Sequence, residues 1–94
     1  MYAAVRRYEG VADPAEVARF VEEGFLPIVR QVPGFVAFYW LDAGDGVVLS
    51  TSVFQDRAGA EESTLRASNF IRDSLGSHLP QPPQITAGEV VVTG

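Results

Sequence analysis

Apolar and polar positions alternate with period two from Tyr2 to Glu9. They recur at three- and four-residue spacing from Pro14 to about Gln31, then run almost unbroken through Gly34 to Leu41 and Val47 to Phe54. Period two marks a strand and the longer spacing an amphipathic helix. The two apolar runs are rich in β-branched and aromatic residues, and Asp42-Ala43-Gly44-Asp45-Gly46 separates them. They predict a β-hairpin, because Asp and Gly tolerate the positive φ of a tight reversal. With residues 42–46 as the loop, Leu41 is expected opposite Val47, Trp40 opposite Val48, Phe38 opposite Ser50 and Val36 opposite Ser52. One face then carries Phe35, Ala37, Tyr39, Leu41, Val47, Leu49, Thr51 and Val53. The other carries Val36, Phe38, Trp40, Val48, Ser50, Ser52 and Phe54. No charge falls between Phe35 and Leu41 or between Val47 and Phe54, so neither face reads as a solvated one.

The remaining elements follow from local signals. The first strand sets Tyr2, Ala4, Arg6 and Tyr8 on one side and Ala3, Val5, Arg7 and Glu9 on the other. Asp13-Pro14-Ala15-Glu16 predicts a helix start, with a capping Asp and a proline at the first helical position. The helix is expected to reach about Gln31 and to bury Val17, Phe20, Val21, Gly24 and Ile28. Pro27 predicts a kink or a division, with Leu26 to Val32 as a less regular end, because a proline inside a helix lacks the amide donor. Pro33-Gly34 ends this segment. Asp56 is expected to cap a second helix, with Glu61 and Glu62 near its N-terminal end, a face of Thr64, Ala67, Ser68, Ile71 and Leu75, Phe70 beside it, and Gly76 as its stop. Leu79 to Gln84 reads as a stiff, proline-rich connector and Ile85 to Thr93 as the last strand. The order predicts an α+β, ferredoxin-like βαββαβ fold with a four-stranded antiparallel sheet and two helices on one face. The second apolar face then needs a partner, and a homodimer packing two sheets together supplies one.

Composition narrows the setting. Ninety-four residues, 47% hydrophobic and 20% charged, predict a single globular domain over 1–94 that gains from self-association. Seven Lys and Arg against a net charge of -5 oppose nucleic acid and anionic membrane surfaces as partners. No apolar run approaches membrane-spanning length, and Met1 to Tyr8 does not read as a signal peptide, so a soluble cytoplasmic protein is expected. The absence of cysteine excludes disulfides, thiolate metal sites and cysteine nucleophiles. One histidine and scattered carboxylates give no metal-ligand spacing.

Three segments carry a resemblance: Val32-Pro33-Gly34-Phe35, then Val53-Phe54-Gln55-Asp56-Arg57 with Ala60 and Ser63, and Thr86-Ala87-Gly88-Glu89-Val90. In order and spacing the chain resembles the antibiotic biosynthesis monooxygenase-like domains of the dimeric α/β-barrel superfamily, over most of its length. The resemblance implies sheets packed in a dimeric α/β barrel and a small-molecule pocket between each sheet and its helices. It also implies activities that include quinone-forming monooxygenation without a cofactor and haem degradation. Phe54 stands where several catalytic members are expected to have tryptophan, and Arg6 where haem-degrading members use asparagine. Haem is thereby disfavoured, and no cofactor is expected.

The hairpin register places Phe38 and Trp40 beside Ser50 and Ser52, and large beside small leaves a hollow suited to a flat, partly polar molecule. Phe54, Ser63 and Phe70 complete the expected pocket. Arg6, in phase with the hairpin, is the candidate for holding a carboxylate, phenolate or enolate oxygen, and Ser52 or Asn69 for polarising an oxygen. The competing reading is a filled core, in which the serines bond locally and Arg6 reaches solvent or pairs with a Glu. Tyr8 and Tyr39 are candidate proton donors or interface residues. His78, just past the second helix, is expected to favour the helix dipole rather than catalysis. Two functions follow: a cofactor-independent monooxygenase acting on an aromatic or polyketide-like substrate, or a non-enzymatic dimeric binding or accessory protein.

Overall fold

A computed structural model describes all 94 residues. Strand β1 (Tyr2–Tyr8) leads to helix α1 (Pro14–Phe20), a π-helical turn (Val21–Phe25) and helix α2 (Leu26–Arg30). The hairpin β2 (Phe35–Gly44) and β3 (Val47–Phe54) follows, then helix α3 (Arg57–Phe70), a second π-helical turn (Ile71–Leu75) and β4 (Gln84–Glu89). The strands form one antiparallel sheet in the order β2-β3-β1-β4, the ferredoxin-like arrangement expected from the element order. No helix is long and apolar enough to cross a membrane.

The helix starts form as their residues dictate. Asp13 Oδ1 accepts from the Glu16 amide at 3.2 Å, and Asp56 Oδ1 accepts from the Gly59 amide at 3.1 Å, each satisfying a donor that the first turn leaves free. The consequence of Pro27 differs from expectation. Leu26 to Arg30 is regular, and the irregularity lies upstream, where the Leu26 amide reaches back five residues to the Val21 carbonyl. This wider turn accommodates a proline that can neither donate nor tolerate a close carbonyl one turn back. It also alters the buried stripe. Val17, Val21, Phe25 and Val29 are buried, whereas Phe20, Gly24 and Ile28 are only half-buried. A repeat of four residues drifts around a 3.6-residue helix, and a π turn cancels part of that drift. On α3 the buried set is Gly59, Ala60, Ser63 and Ala67, followed by Leu75, while Ser68 is exposed.

The hairpin closes more tightly than expected. Its loop is Asp45-Gly46 alone, both at positive φ (54° and 76°), as a two-residue reversal between twisted strands requires. Trp40 therefore pairs with Ser50 and Phe38 with Ser52, two residues away from the expected register. An even shift leaves the faces unchanged. A bulge at Val36 is the exception, because it turns Phe35 inward to pack edge-on against Phe54 at 6.0 Å, so Phe35 belongs to the core and not to the open face. The last strand stops at Glu89, short of the expected Thr93, after which the Val90 amide donates to the Met1 carbonyl.

Four cross-strand rows face the helices. Phe35–Phe54–Tyr2 lies at one end, then Phe38–Ser52–Ala4–Ala87, then Trp40–Ser50–Arg6–Ile85, and finally Val48–Tyr8. The opposite face has no helix on it, and leaves Tyr39 61% and Leu41 48% exposed.

Candidate functional site

Arg6 is the centre of the site because β1 alternates strictly: its neighbour Arg7 is exposed and pairs with Glu9, while Arg6 points under the helices and is 2% exposed. Its guanidinium donates to Ser52 Oγ at 3.3 Å on β3, and to Ser63 Oγ at 3.2 Å and Thr64 Oγ1 at 2.7 Å on α3. Both α3 hydroxyls spend their own protons on the Ala60 carbonyl, at 2.7 and 3.2 Å, which leaves them as acceptors toward Arg6. These acceptors are all neutral. The ion pairs of the chain lie elsewhere on its surface, and no carboxylate compensates this buried cation.

Two buried donors here are without a partner, Arg6 Nε and Trp40 Nε1. Such groups are costly to strand, and both belong to side chains lining one cavity. Its floor is Ser50 between Trp40 and Arg6, with Tyr8 and Phe38 beside them. Its roof comes from both helical segments: Val21 and Phe25 from the first π turn, Ala67 and Phe70 from α3, and Ile71 and Leu75 from the second π turn. Phe25 packs on Phe38 and Phe70 at 5.6 and 5.7 Å, and Tyr8 on Trp40 at 5.8 Å. The void is about 20 Å³, room for one water molecule. Burial holds the Tyr8 hydroxyl above its ordinary pKa and the Arg6 charge opposes that rise; burial likewise lowers Arg6, with Tyr8 opposing.

Of the residues singled out from the sequence, Arg6, Phe38, Trp40, Ser50 and Phe70 line the cavity, while Ser52 and Ser63 hold the guanidinium from below and above. Asn69 does not join them. It is exposed on α3, because Ser63 and Ala67 turn the opposite side of the helix to the sheet, and so it cannot polarise an oxygen in this cavity. Phe54 is fully buried but lies outside the cavity lining, two rows from Arg6, packed on Phe35 and Gly59. His78 sits against Phe20 at 5.5 Å, away from the cavity. Thr64, the shortest partner of Arg6, carried no site role in the sequence reading. The adjacent hydroxyls Ser63-Thr64, both within reach of the Ala60 carbonyl, are the signal that marks it. No group of three or more His, Cys, Asp or Glu side chains is placed to hold a metal ion.

No family model matches the chain, and no curated protein matches it in sequence. Its fold does match solved structures. A protein of unknown function from Nitrosomonas europaea, NE2512, superposes with a TM-score of 0.80 at 23% identity, over 99% of this chain and 91% of that one. The monooxygenase ActVA-Orf6 of Streptomyces coelicolor, solved with nanaomycin D, gives 0.71 at 20% identity over 98% and 92%. An antibiotic biosynthesis monooxygenase gives 0.72 at 14% identity over 98% and 100%. The class is thus a ferredoxin-like α+β domain with a polar-floored cavity under two helices. Within that class, the chain has the fold of the antibiotic biosynthesis monooxygenase-like domains.

Proposed function

We propose that residues 1–94 form one monooxygenase-like domain that binds an anionic aromatic or polyketide-like molecule at Arg6 and oxygenates it without a cofactor. The observation that carries this reading is a buried arginine whose acceptors are all neutral hydroxyls, next to a second stranded donor on Trp40. An ionised phenol or enol would supply the missing negative charge and accept from both. In the reaction, the ring C–H carbon para to the phenolate oxygen gains one oxygen atom of O2 and becomes a quinone carbonyl, the phenolate C–O becomes the other carbonyl, and the second oxygen of O2 leaves as water. The phenol gives up four electrons, and its two departing hydrogens end in that water. Arg6 holds the oxyanion, Ser52 and Ser63 fix Arg6, and Phe38 and Trp40 exclude bulk water. The exposed Tyr39 and Leu41 support a homodimer through the open sheet face, and a cytoplasmic setting is part of the same proposal.

The second reading, a non-enzymatic binding or accessory protein, is favoured by the size of the void, which at about 20 Å³ admits no ring until side chains move. Oxygen uptake in the presence of the anthrone dithranol separates the two. Enzyme-dependent uptake that Arg6→Ala abolishes supports oxygenation; uptake unchanged by Arg6→Ala removes Arg6 from the mechanism, and binding without uptake leaves the second reading.

A further inference from the structure

Arg6 and Tyr8 line two hollows, not one. Beyond the aromatic cavity lies a second, of about 70 Å³, walled by Thr64 and Ser68 of α3, Pro83 of the connector and Ile85 of β4, with Ala67 and Ile71 shared between the two. Pro83 is half-buried, and Ser68 and Ile85 are exposed, so this hollow opens to solvent at the β4 edge. On the other side, half-buried Phe38 and Trp40 separate the cavity from an outer groove of about 300 Å³ along Ala18, Val21, Glu22 and Leu26. All three spaces follow one cross-strand row, Trp40–Ser50–Arg6–Ile85, in which neighbouring positions are about 5 Å apart. Arg6 is third of four along that row. Its Nε and Trp40 Nε1 are fully buried donors on this path without a partner.

We infer that Arg6 divides one elongated ligand site into two lobes, so that the ligand carries its anionic group internally, with a ring toward Trp40 and a second apolar group toward Pro83 and Ile85. A ligand with its charge at one end fills only one lobe. The inference rests on the reading of Arg6 as the anion site and adds to it where along the ligand the charge lies. Access to the inner lobe comes from movement of Phe38 and Trp40, the thin wall between the void and the outer groove.

Phenylacetate and diphenylacetate test this, because they share a carboxylate and differ by one ring on the carbon that bears it. Trp40 is the sole tryptophan and lines the cavity, so its emission reports occupancy directly. Diphenylacetate is expected to bind about tenfold more tightly than phenylacetate through the apolar area it buries in the second lobe. Ser68→Phe, and separately Ile85→Phe, fill that lobe and are expected to erase the advantage of diphenylacetate over phenylacetate. Arg6→Gln is expected to lose both ligands, and neutral diphenylmethanol to bind no better to wild type than to Arg6→Gln. Arg6-dependent binding of phenylacetate with no gain for diphenylacetate, or a gain that both lobe-filling variants retain, overturns the two-lobed site and leaves the anion site standing. No Arg6-dependent binding of either carboxylate overturns both.

Discussion

Two ends of the same layer between sheet and helices are built on opposite rules. At one end, Phe54 is fully buried against Phe35, and a Cβ on Gly59 would sit 2.9 Å from the Pro33 carbonyl oxygen and 3.0 Å from the Phe54 ring. At the other, Ser50 and Ser52 replace bulk along β3, a cation without a counter-charge is buried, two donors are stranded, and a void remains. The first end is explained by packing. The second is costly, since burying an unpaired charge costs several kcal/mol before any hydrogen bonds offset it, and it is the end where the proposed ligand would sit.

The contrast can be broken first at its packed end. Phe54→Ala is expected to cost about 3–5 kcal/mol, the range for removing a buried ring from a close-packed site, in urea unfolding. A loss below about 1 kcal/mol would mean that this end is as loose as the other. A matched pair of glycine substitutions sharpens the point. Gly59→Ala meets backbone and the base of a ring and is expected to cost about 1–3 kcal/mol. Gly24→Ala meets only the far edge of Phe70, at 2.7 Å, over the void, and adds helix propensity, so its net change is expected to stay within about 1 kcal/mol. Equal losses at the two sites, measured by urea unfolding, would contradict the distinction.

A smaller effect concerns pH. Burial raises the Tyr8 pKa in the folded chain, with Arg6 opposing, so the native state keeps a proton that the unfolded state releases. The stability this contributes is full below the unfolded value of about 10 and is lost as pH rises through the folded value. Tyr8→Phe is expected to flatten that part of the alkaline decline in a series of urea midpoints. An unchanged decline would assign it to other groups.

Much of this contrast was legible in the sequence. The alternation in β1 and β3 put Arg6, Ser50 and Ser52 on the helix-facing side, and the faces survived a two-residue error in register because strand period is two. Three things were not legible, each for a local reason. The bulge at Val36, which turns Phe35 inward, depends on pairing with β3 and has no glycine or proline to announce it. The wide turn at Val21–Phe25 places the effect of Pro27 upstream of the proline itself. The rotation of α3, which exposes Ser68 and Asn69, follows from small residues at Gly59, Ala60 and Ala67, and these give a weak periodic signal beside the bulkier Leu65 and Ile71.

The smallest expected change tests the central claim most directly. If Arg6 is retained to meet an anion and contributes little to folding, Arg6→Met keeps the packed stem and removes an uncompensated charge. Its unfolding free energy, measured in urea without ligand at neutral pH, is then expected to lie within about 1 kcal/mol of wild type or above it. A loss of about 3–5 kcal/mol, the cost of breaking a buried charge network that holds the fold together, would contradict the account and make Arg6 a structural residue.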